Sequence, residues 1–387
     1  MRQAESIQNF FRSHFGQPPA ALGFAPGRVN LIGEHTDYNE GLVLPMAIQF
    51  GVYAAGALAP DGQVQAVSWN FPEQPARFMI GDEPSGKSWE HYLRAILLEL
   101  ERAGVKPPGL RLAFHGDVPL EAGLSSSAAF SVVSTLVISA LQRRTWDDPV
   151  EVARIGQAAE HRLGVNCGLL DQMASAACRA GSAMLLDCRD MHREMIAMDR
   201  ERWAIFVGAT GVRRRLAGSE YNRRRAECEQ AARQCGKKSL REVSFALLER
   251  CRPQMPEAVF RRARHIVTEN ERVLKFVEAL QNGDRMGAGR LLNESHASLR
   301  DDFEVSCIEL DAMVESFMKA EGVFGARMVG GGFGGSAIAL AEPAKTEVII
   351  ATAAPFYREK TGINGSFYVV APGDGARVEN LGPWLAD

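Results

Sequence analysis

Hydrophobic and polar positions follow two different rhythms along this chain. From residue 24 to 80, apolar residues come in short β-rich runs (41–48, 51–57, 64–69 and 76–80) broken by Pro and Gly. That pattern predicts antiparallel strands joined by tight turns. A helical repeat covers 89–103, and a strand-like run at 109–114 leads through a loop, 115–124, into an apolar helix predicted over 125–142. Asp147-Asp148-Pro149 marks a helix start, with an acidic cap and Pro in the first turn, and that helix should reach about Leu163. Another helix is predicted from about Ser219-Glu220. Residues 256–318 read as almost wholly helical before a Gly-rich loop and strand at 330–340. The change of rhythm near 195–205 predicts two domains, 1–198 and 199–387, with the last strand free to pack back toward the first. No repeat or low-complexity linker separates them, so the halves should close around a shared cleft.

Composition adjusts this picture only at its edges. Of the 387 residues, 46% are hydrophobic and 24% charged, as in an ordinary globular protein. A net charge of −3 leaves no broad positive footprint, so nucleic acid is not expected as a partner, while a small anion needs only local positive potential. No apolar run approaches the roughly 20 residues of a membrane span, and residues 1–16 read as an amphipathic helix rather than a signal peptide. The seven cysteines are scattered from Cys167 to Cys307 with no CxxC pair. This fits reduced thiols in a cytoplasmic protein better than a disulfide framework or a zinc site.

Three segments carry candidate chemistry. Residues 25–47 crowd Arg28, Asn30, Glu34, His35, Asp37, Tyr38 and Asn39 among Val29, Leu31, Ile32 and glycines. Dense donors and acceptors on a Gly-hinged loop suit a ligand rimmed with hydroxyls, each of which needs a partner once buried. A solvated surface loop is the bland alternative. Residues 119–129 place Gly123 and three serines at the start of a long apolar helix, whose free N–H groups could seat phosphate; a Ser-capped turn would look the same. Residues 330–335 hold five glycines in six positions, so backbone must approach either a ligand or another chain segment closely. The G-x-G-x-x-G spacing there is a poor dinucleotide site, because a strand follows it and no βαβ unit does.

Residues 27–47 resemble the galactokinase signature nearly position by position, and the other two segments resemble the remaining motifs of the GHMP kinase superfamily in the same order. Similarity extends to 167–173, 218–222, 296–303 and 367–369, and so covers essentially the whole chain. The resemblance implies an α+β, two-domain GHMP kinase fold: a ribosomal-protein-S5-like N-terminal domain and a ferredoxin-like C-terminal domain, with the site in the cleft between them. It implies ATP-dependent phosphorylation of the C1 hydroxyl of galactose by a protein that is a monomer or weak homodimer. Asp171 would face the C1 hydroxyl with Arg28 beside it; a carboxylate takes up or orients the proton while a guanidinium offsets charge on the γ-phosphoryl. Sugar contacts would be Glu34, His35, Asp37, Gly168, Asp171 and Tyr221. Phosphate contacts would be Gly123, Leu124, Ser125, Ser126 and Ser127, and Mg2+ would be held by Ser127 and Glu160, an oxygen pair that suits it. Glu160 stands eleven residues before Asp171, one fewer than the family pattern. At 207–213 the chain lacks the family's Asn-Ser-rich stretch, which loosens the inference to one sugar.

Other readings stay open at this level. The chain could phosphorylate a galactose relative (N-acetylgalactosamine, galacturonate or arabinose), with Arg213–Arg215 as the extra cation for an acidic sugar. A non-catalytic galactose- and ATP-binding regulator would differ from a kinase at Ser127, Arg28 or Asp171, all of which are intact. Residues 81–88 match G-x-x-x-x-G-K-[ST] outright, and 183–187 look like the acidic strand that usually accompanies it. A P-loop enzyme would open a parallel sheet there, so Lys87 is expected to be a surface residue.

Overall fold

The structure is a computed structural model and describes residues 2–86, 88–119, 123–212 and 217–381. In chain order, α1 (Arg2–Phe15), β1 (Ala21–Asn30), β2 (Leu42–Val43), β3 (Pro45–Leu58), β4 (Gln63–Ser68) and β5 (Ala76–Met79) come first. They are followed by α2 (Trp89–Arg102), β6 (Leu110–Gly116), α3 (Ser126–Leu141), α4 (Pro149–Arg162), α5 (Leu170–Ala177), β7 (Ser182–Asp187) and β8 (Arg193–Ala197). The second half holds β9 (Ala204–Ala209), α6 (Ala217–Gln234), α7 (Phe245–Cys251), α8 (Glu257–Asn282), α9 (Arg285–Asp301) and α10 (Ile308–Met318). It ends with β10 (Val323–Val329), β11 (Ser336–Ala341), α11 (Thr346–Thr361), β12 (Ser366–Val370) and β13 (Arg377–Asn380).

Three sheets organise these elements. A six-stranded sheet runs β13-β1-β3-β6-β4-β5, a four-stranded sheet runs β10-β11-β9-β12, and β2, β7 and β8 form a small third one. Among the described residues all pairings are antiparallel except β4 with β6. β5 lies at a sheet edge and β7 between two antiparallel neighbours, so the stretch at 81–88 lacks the parallel sheet a P-loop requires; Lys87 itself lies outside the described residues.

Two readings of the strands change. Residues 25–30, expected in a loop, continue β1, because Val29 enters the core while Arg28 and Asn30 alternate to the other side. The runs at 41–48 and 51–57 are not two strands: β3 passes unbroken through Gly51, whose Cβ position would lie 2.3 Å from the Ala25 carbonyl oxygen. Helix starts follow their sequence signals more closely. Asp148 accepts from Val150 N and forms a reciprocal capping box with Glu151, ahead of Pro149. Asp148→Ala should therefore cost about 1 kcal/mol in chemical denaturation; an unchanged midpoint would show that Arg193, which donates to the same carboxylate at 2.9 Å, leaves the cap redundant.

The core sits where it fixes the site. Apolar residues of β1 and the loop after it (Val29, Leu31, Ile32) share one cluster with Val273 and Phe276 of α8, Leu291 and Leu292 of α9, and Val207 and Ile338 of the four-stranded sheet. The segment rich in polar residues is thus clamped between the halves of the molecule by its own alternate apolar positions. Among the described residues no helix is long and apolar enough to cross a membrane.

Candidate active site

A bulge between Pro26 and Arg28 at the end of β1 turns Arg28 toward the start of α3. Gly27 permits this, since a Cβ there would stand 2.6 Å from the Leu124 carbonyl oxygen. Arg28 N in turn donates to that oxygen at 3.0 Å, and its Nη1 donates to the Gly123 carbonyl at 2.9 Å. The remaining Nε donates to Asp171 Oδ1 at 2.7 Å, across 143 residues of chain.

Asp171 occupies the first turn of α5, and its other oxygen accepts from Ser125 Oγ at 2.5 Å. Ser125 was a candidate helix cap, but its side chain caps nothing. Its backbone takes the left-handed conformation (φ 59°) and sends the hydroxyl to the carboxylate instead. One carboxylate is therefore held by a cation from the β1 segment and a hydroxyl from the helix tip. Because α3 is buried along most of its length, its N-terminal end is fixed against the cleft.

The loop after β1 supplies the opposite wall. Glu34 is buried, and its Oε1 accepts from Arg327 Nη2 at 2.6 Å and from Gly330 N at 2.7 Å. His35 (φ 65°) hydrogen-bonds Tyr38 OH through Nδ1 at 2.9 Å and packs on Tyr221 and Phe303, with ring centroids 5.5 and 4.7 Å away. Asp37 lies beside Gly168, where even a methyl group would come within 1.9 Å of Asp37 Oδ2. Helix α8 holds this loop from behind. His265 Nε2 donates to the Glu34 carbonyl at 3.1 Å, Glu269 accepts from Gly33 N at 3.1 Å, and Asn270 accepts from Leu42 N at 2.7 Å.

All thirteen residues given a site role by the resemblance meet in one cleft of about 570 Å3, which Asn30, Tyr38 and Asn39 do not line: Arg28, Glu34, His35, Asp37, the run from Gly123 to Ser127, Glu160, Gly168, Asp171 and Tyr221. Tyr92, Cys167 and the backbone of Gly330 and Gly331 also line it, with Pro119, Val165 and Leu170. None of the described residues at 81–88 lines it, and Asp187 of β7 pairs with Arg241 at 2.7 Å instead. The third motif thus serves both of its alternatives. Gly330 and Gly331 face the cleft, while Gly332 packs where a Cβ would lie 2.2 Å from the Val305 carbonyl.

Sequence reasoning missed Arg327 and the three α8 anchors. Arg327 had a signal, a lone charge in the otherwise apolar run from Ala326 to Val329. The α8 residues had none, being polar positions in a long helix.

Carboxylates dominate the electrostatics. Burial and then the charge of Asp171 raise Glu160 from 4.5 to about 7, against hydrogen bonds from Cys167 and Ser127. Burial, with Asp171 again the next contributor, raises Asp37 from 3.8 to about 7. Burial pushes the Tyr221 phenol well above its ordinary value. Raised carboxyl values mean that the folded state holds protons the unfolded chain has released. Their contribution to stability is complete below about pH 4 and is lost as pH rises toward 7. Glu160→Gln should flatten that decline in thermal melts from pH 4 to 8 without magnesium; an unchanged slope would exclude Glu160 as its source.

Known proteins match this architecture. Residues 9–58 match the galactokinase galactose-binding signature, 91–179 the N-terminal domain of GHMP kinases and 276–357 their C-terminal domain. Fold and cleft together define a GHMP kinase, and a mevalonate kinase structure shares the fold with a TM-score of 0.65 at 15% identity, covering 90% of this chain and 98% of that one. Human galactokinase is 40% identical over 385 residues, covering 95% of this chain and 94% of the human protein. Canine galactokinase is 39% identical over 381 residues, covering 95% and 94%. The crystal structure of Lactococcus lactis galactokinase complexed with galactose superposes with a TM-score of 0.93 at 35% identity, covering 97% of this chain and 99% of that one. The chain belongs to the galactokinase family.

Proposed function

We propose that this cleft moves the γ-phosphoryl of ATP onto the C1 hydroxyl of galactose, giving galactose 1-phosphate and ADP. The observation that carries the reading is the position of Asp171. Its two oxygens are spanned by Arg28 and Ser125, where the wall bearing Glu34, His35 and Asp37 meets the N-terminus of a 16-residue helix. In this reading, Glu34, His35, Asp37, Gly168 and Tyr221 satisfy sugar hydroxyls, and Asp171 orients the C1 hydroxyl and takes up its proton as the O–P bond forms. Arg28 offsets charge gathering on the transferred group, and the N–H groups and hydroxyls from Gly123 to Ser127 bind the β- and γ-phosphates. The leaving ADP takes the electron pair of the broken P–O bond.

A second cavity of about 320 Å3 adjoins the first and shares Tyr92, Ser126 and Ser127 with it. Phe71, Trp89, Phe114 and Phe130 line it, which suits the planar apolar faces of a purine. Glu160 and Ser127 fit magnesium: the hydroxyl faces a buried carboxylate with which no Lys or Arg forms an ion pair among the described residues, and both groups offer oxygen. These two residues would hold the ion, and when bound with ATP it neutralises phosphate charge. We place the two domains at 1–198 and 199–387, with the serine tip and the sugar contacts other than Tyr221 in the first and Tyr221 and the Gly330 turn in the second, and we assign the protein to the cytoplasm.

Charge favours a neutral sugar. Arg28 is the only Lys or Arg among the described residues lining the cleft, and it is engaged, whereas Glu34, Asp171 and the ionised fraction of Asp37 and Glu160 would repel galacturonate. Arg213–Arg215, the proposed extra cations, lie outside the described residues. The test is a phosphorylation screen of free sugars with ATP and magnesium, the product identified by NMR. Galactose should lead arabinose, N-acetylgalactosamine and galacturonate. Faster galacturonate turnover would change the substrate assignment, and tight galactose and ATP binding without sugar phosphate would make the protein a sensor.

A further inference from the structure

We propose that Arg327 is a positioning residue for sugar recognition, locking the Glu34 carboxylate toward the cleft and tying the loop after β1 to the Gly330 turn. The proposal rests on the reading of the cleft as a galactose site. Arg327 is wholly buried on β10, between Ala326 and Met328, where a guanidinium needs an anionic partner. Its Nη2 donates to Glu34 Oε1 at 2.6 Å and lies 3.4 Å from the Asn30 carbonyl. The Glu269 carboxylate is near enough to feel its charge, but that group is bonded instead by Gly33 N, Ser295 Oγ at 2.6 Å and Arg272 Nε at 2.6 Å. Glu34 is therefore the carboxylate that Arg327 grips.

The same Glu34 oxygen also takes Gly330 N at 2.7 Å. Two donors converge on Oε1, while Oε2 accepts no hydrogen bond among the described residues, and the side chain lines the cleft. A carboxylate with one oxygen clamped from the protein side presents the other in a fixed direction, as a directional hydrogen bond to a hydroxyl requires. Among the described residues no hydrogen bond or ion pair joins Arg327 to the phosphate-binding wall, so its effect should be confined to the sugar.

The test compares the wild type with Arg327→Lys, Arg327→Met, Glu34→Gln and the Glu34→Gln/Arg327→Met double variant. Galactose affinity is measured by calorimetry, KM and kcat for both substrates by ADP release, and folding by thermal melts. Arg327→Met should weaken galactose at least tenfold with the ATP KM within twofold, and Arg327→Lys should recover part of the loss. The double variant should bind galactose no more weakly than Glu34→Gln alone, because Arg327 acts through Glu34. If Arg327→Met does not fold, the double variant, which strands no buried carboxylate, carries the comparison against Glu34→Gln. Unchanged galactose affinity, parallel losses for galactose and ATP, or full additivity would overturn the proposal. A wild type that phosphorylates galactose alongside any of these results overturns this inference alone. A wild type that neither binds nor phosphorylates galactose overturns the functional reading as well.

Discussion

Asp171→Asn should leave galactose bound and nearly abolish its phosphorylation, with kcat falling roughly a thousandfold or more, within the range set by general-base catalysis. The substitution is isosteric. The amide oxygen keeps the Arg28 Nε bond, and the amide nitrogen can donate to Ser125 Oγ, whose hydroxyl then turns away. What disappears is the negative charge and the proton acceptor. Calorimetry for galactose and a coupled assay for ADP separate the two consequences. A fall in kcat of less than tenfold would mean that the group acts by orientation alone, since an amide orients nearly as well as a carboxylate.

Gly168→Ala should raise the galactose KM by about a hundredfold, the order that displacing a positioned group by an ångström can cost, while leaving ATP affinity near its original value. The added methyl would stand 1.9 Å from Asp37 Oδ2 and 2.2 Å from its Cγ, so Asp37 must swing away. Asp37 has little room to do so, because it is half-buried and the backbone N–H groups of Tyr38 and Leu170 favour its carboxylate where it stands. The three atoms nearest the added methyl all belong to Asp37 and none to the serine-rich wall, so the damage should fall on one substrate. A KM change below threefold, with the fold intact by thermal melt, would show that Asp37 does not face the sugar. Equal losses for galactose and ATP would point to collapse of the cleft.

The two variants also mark what could be read before the structure was known. The candidate residues were legible because recognition of a small ligand is written in short contiguous stretches, from Arg28 to Asp37 and from Gly123 to Ser127, and these stretches do meet in one cleft. Helices with chemical start signals were legible for the same local reason, as Asp148-Pro149 at α4 shows. Supports acting across the chain were not. The Arg327–Glu34 pair joins residues 293 apart and Glu269–Gly33 joins residues 236 apart, and no spacing rule connects such positions. β1 was mistaken for a loop because its polar residues drew attention from the period-two alternation that makes it a strand. The Walker-like stretch shows the converse: a perfect local pattern does not make a P-loop when its sheet is wrong.

The pairing of β13 with β1 sets a condition on how the molecule can be made. Ala21, near the start of the chain, lies opposite Asn380, near its end. During synthesis, β1 leaves the ribosome well before β13, with every residue destined for the interior, yet one of its backbone edges stays open until β13 arrives. Nascent or prematurely terminated chains ending near residue 370 would expose that edge to one another, so chaperone dependence and aggregation should track the final strand rather than the catalytic residues.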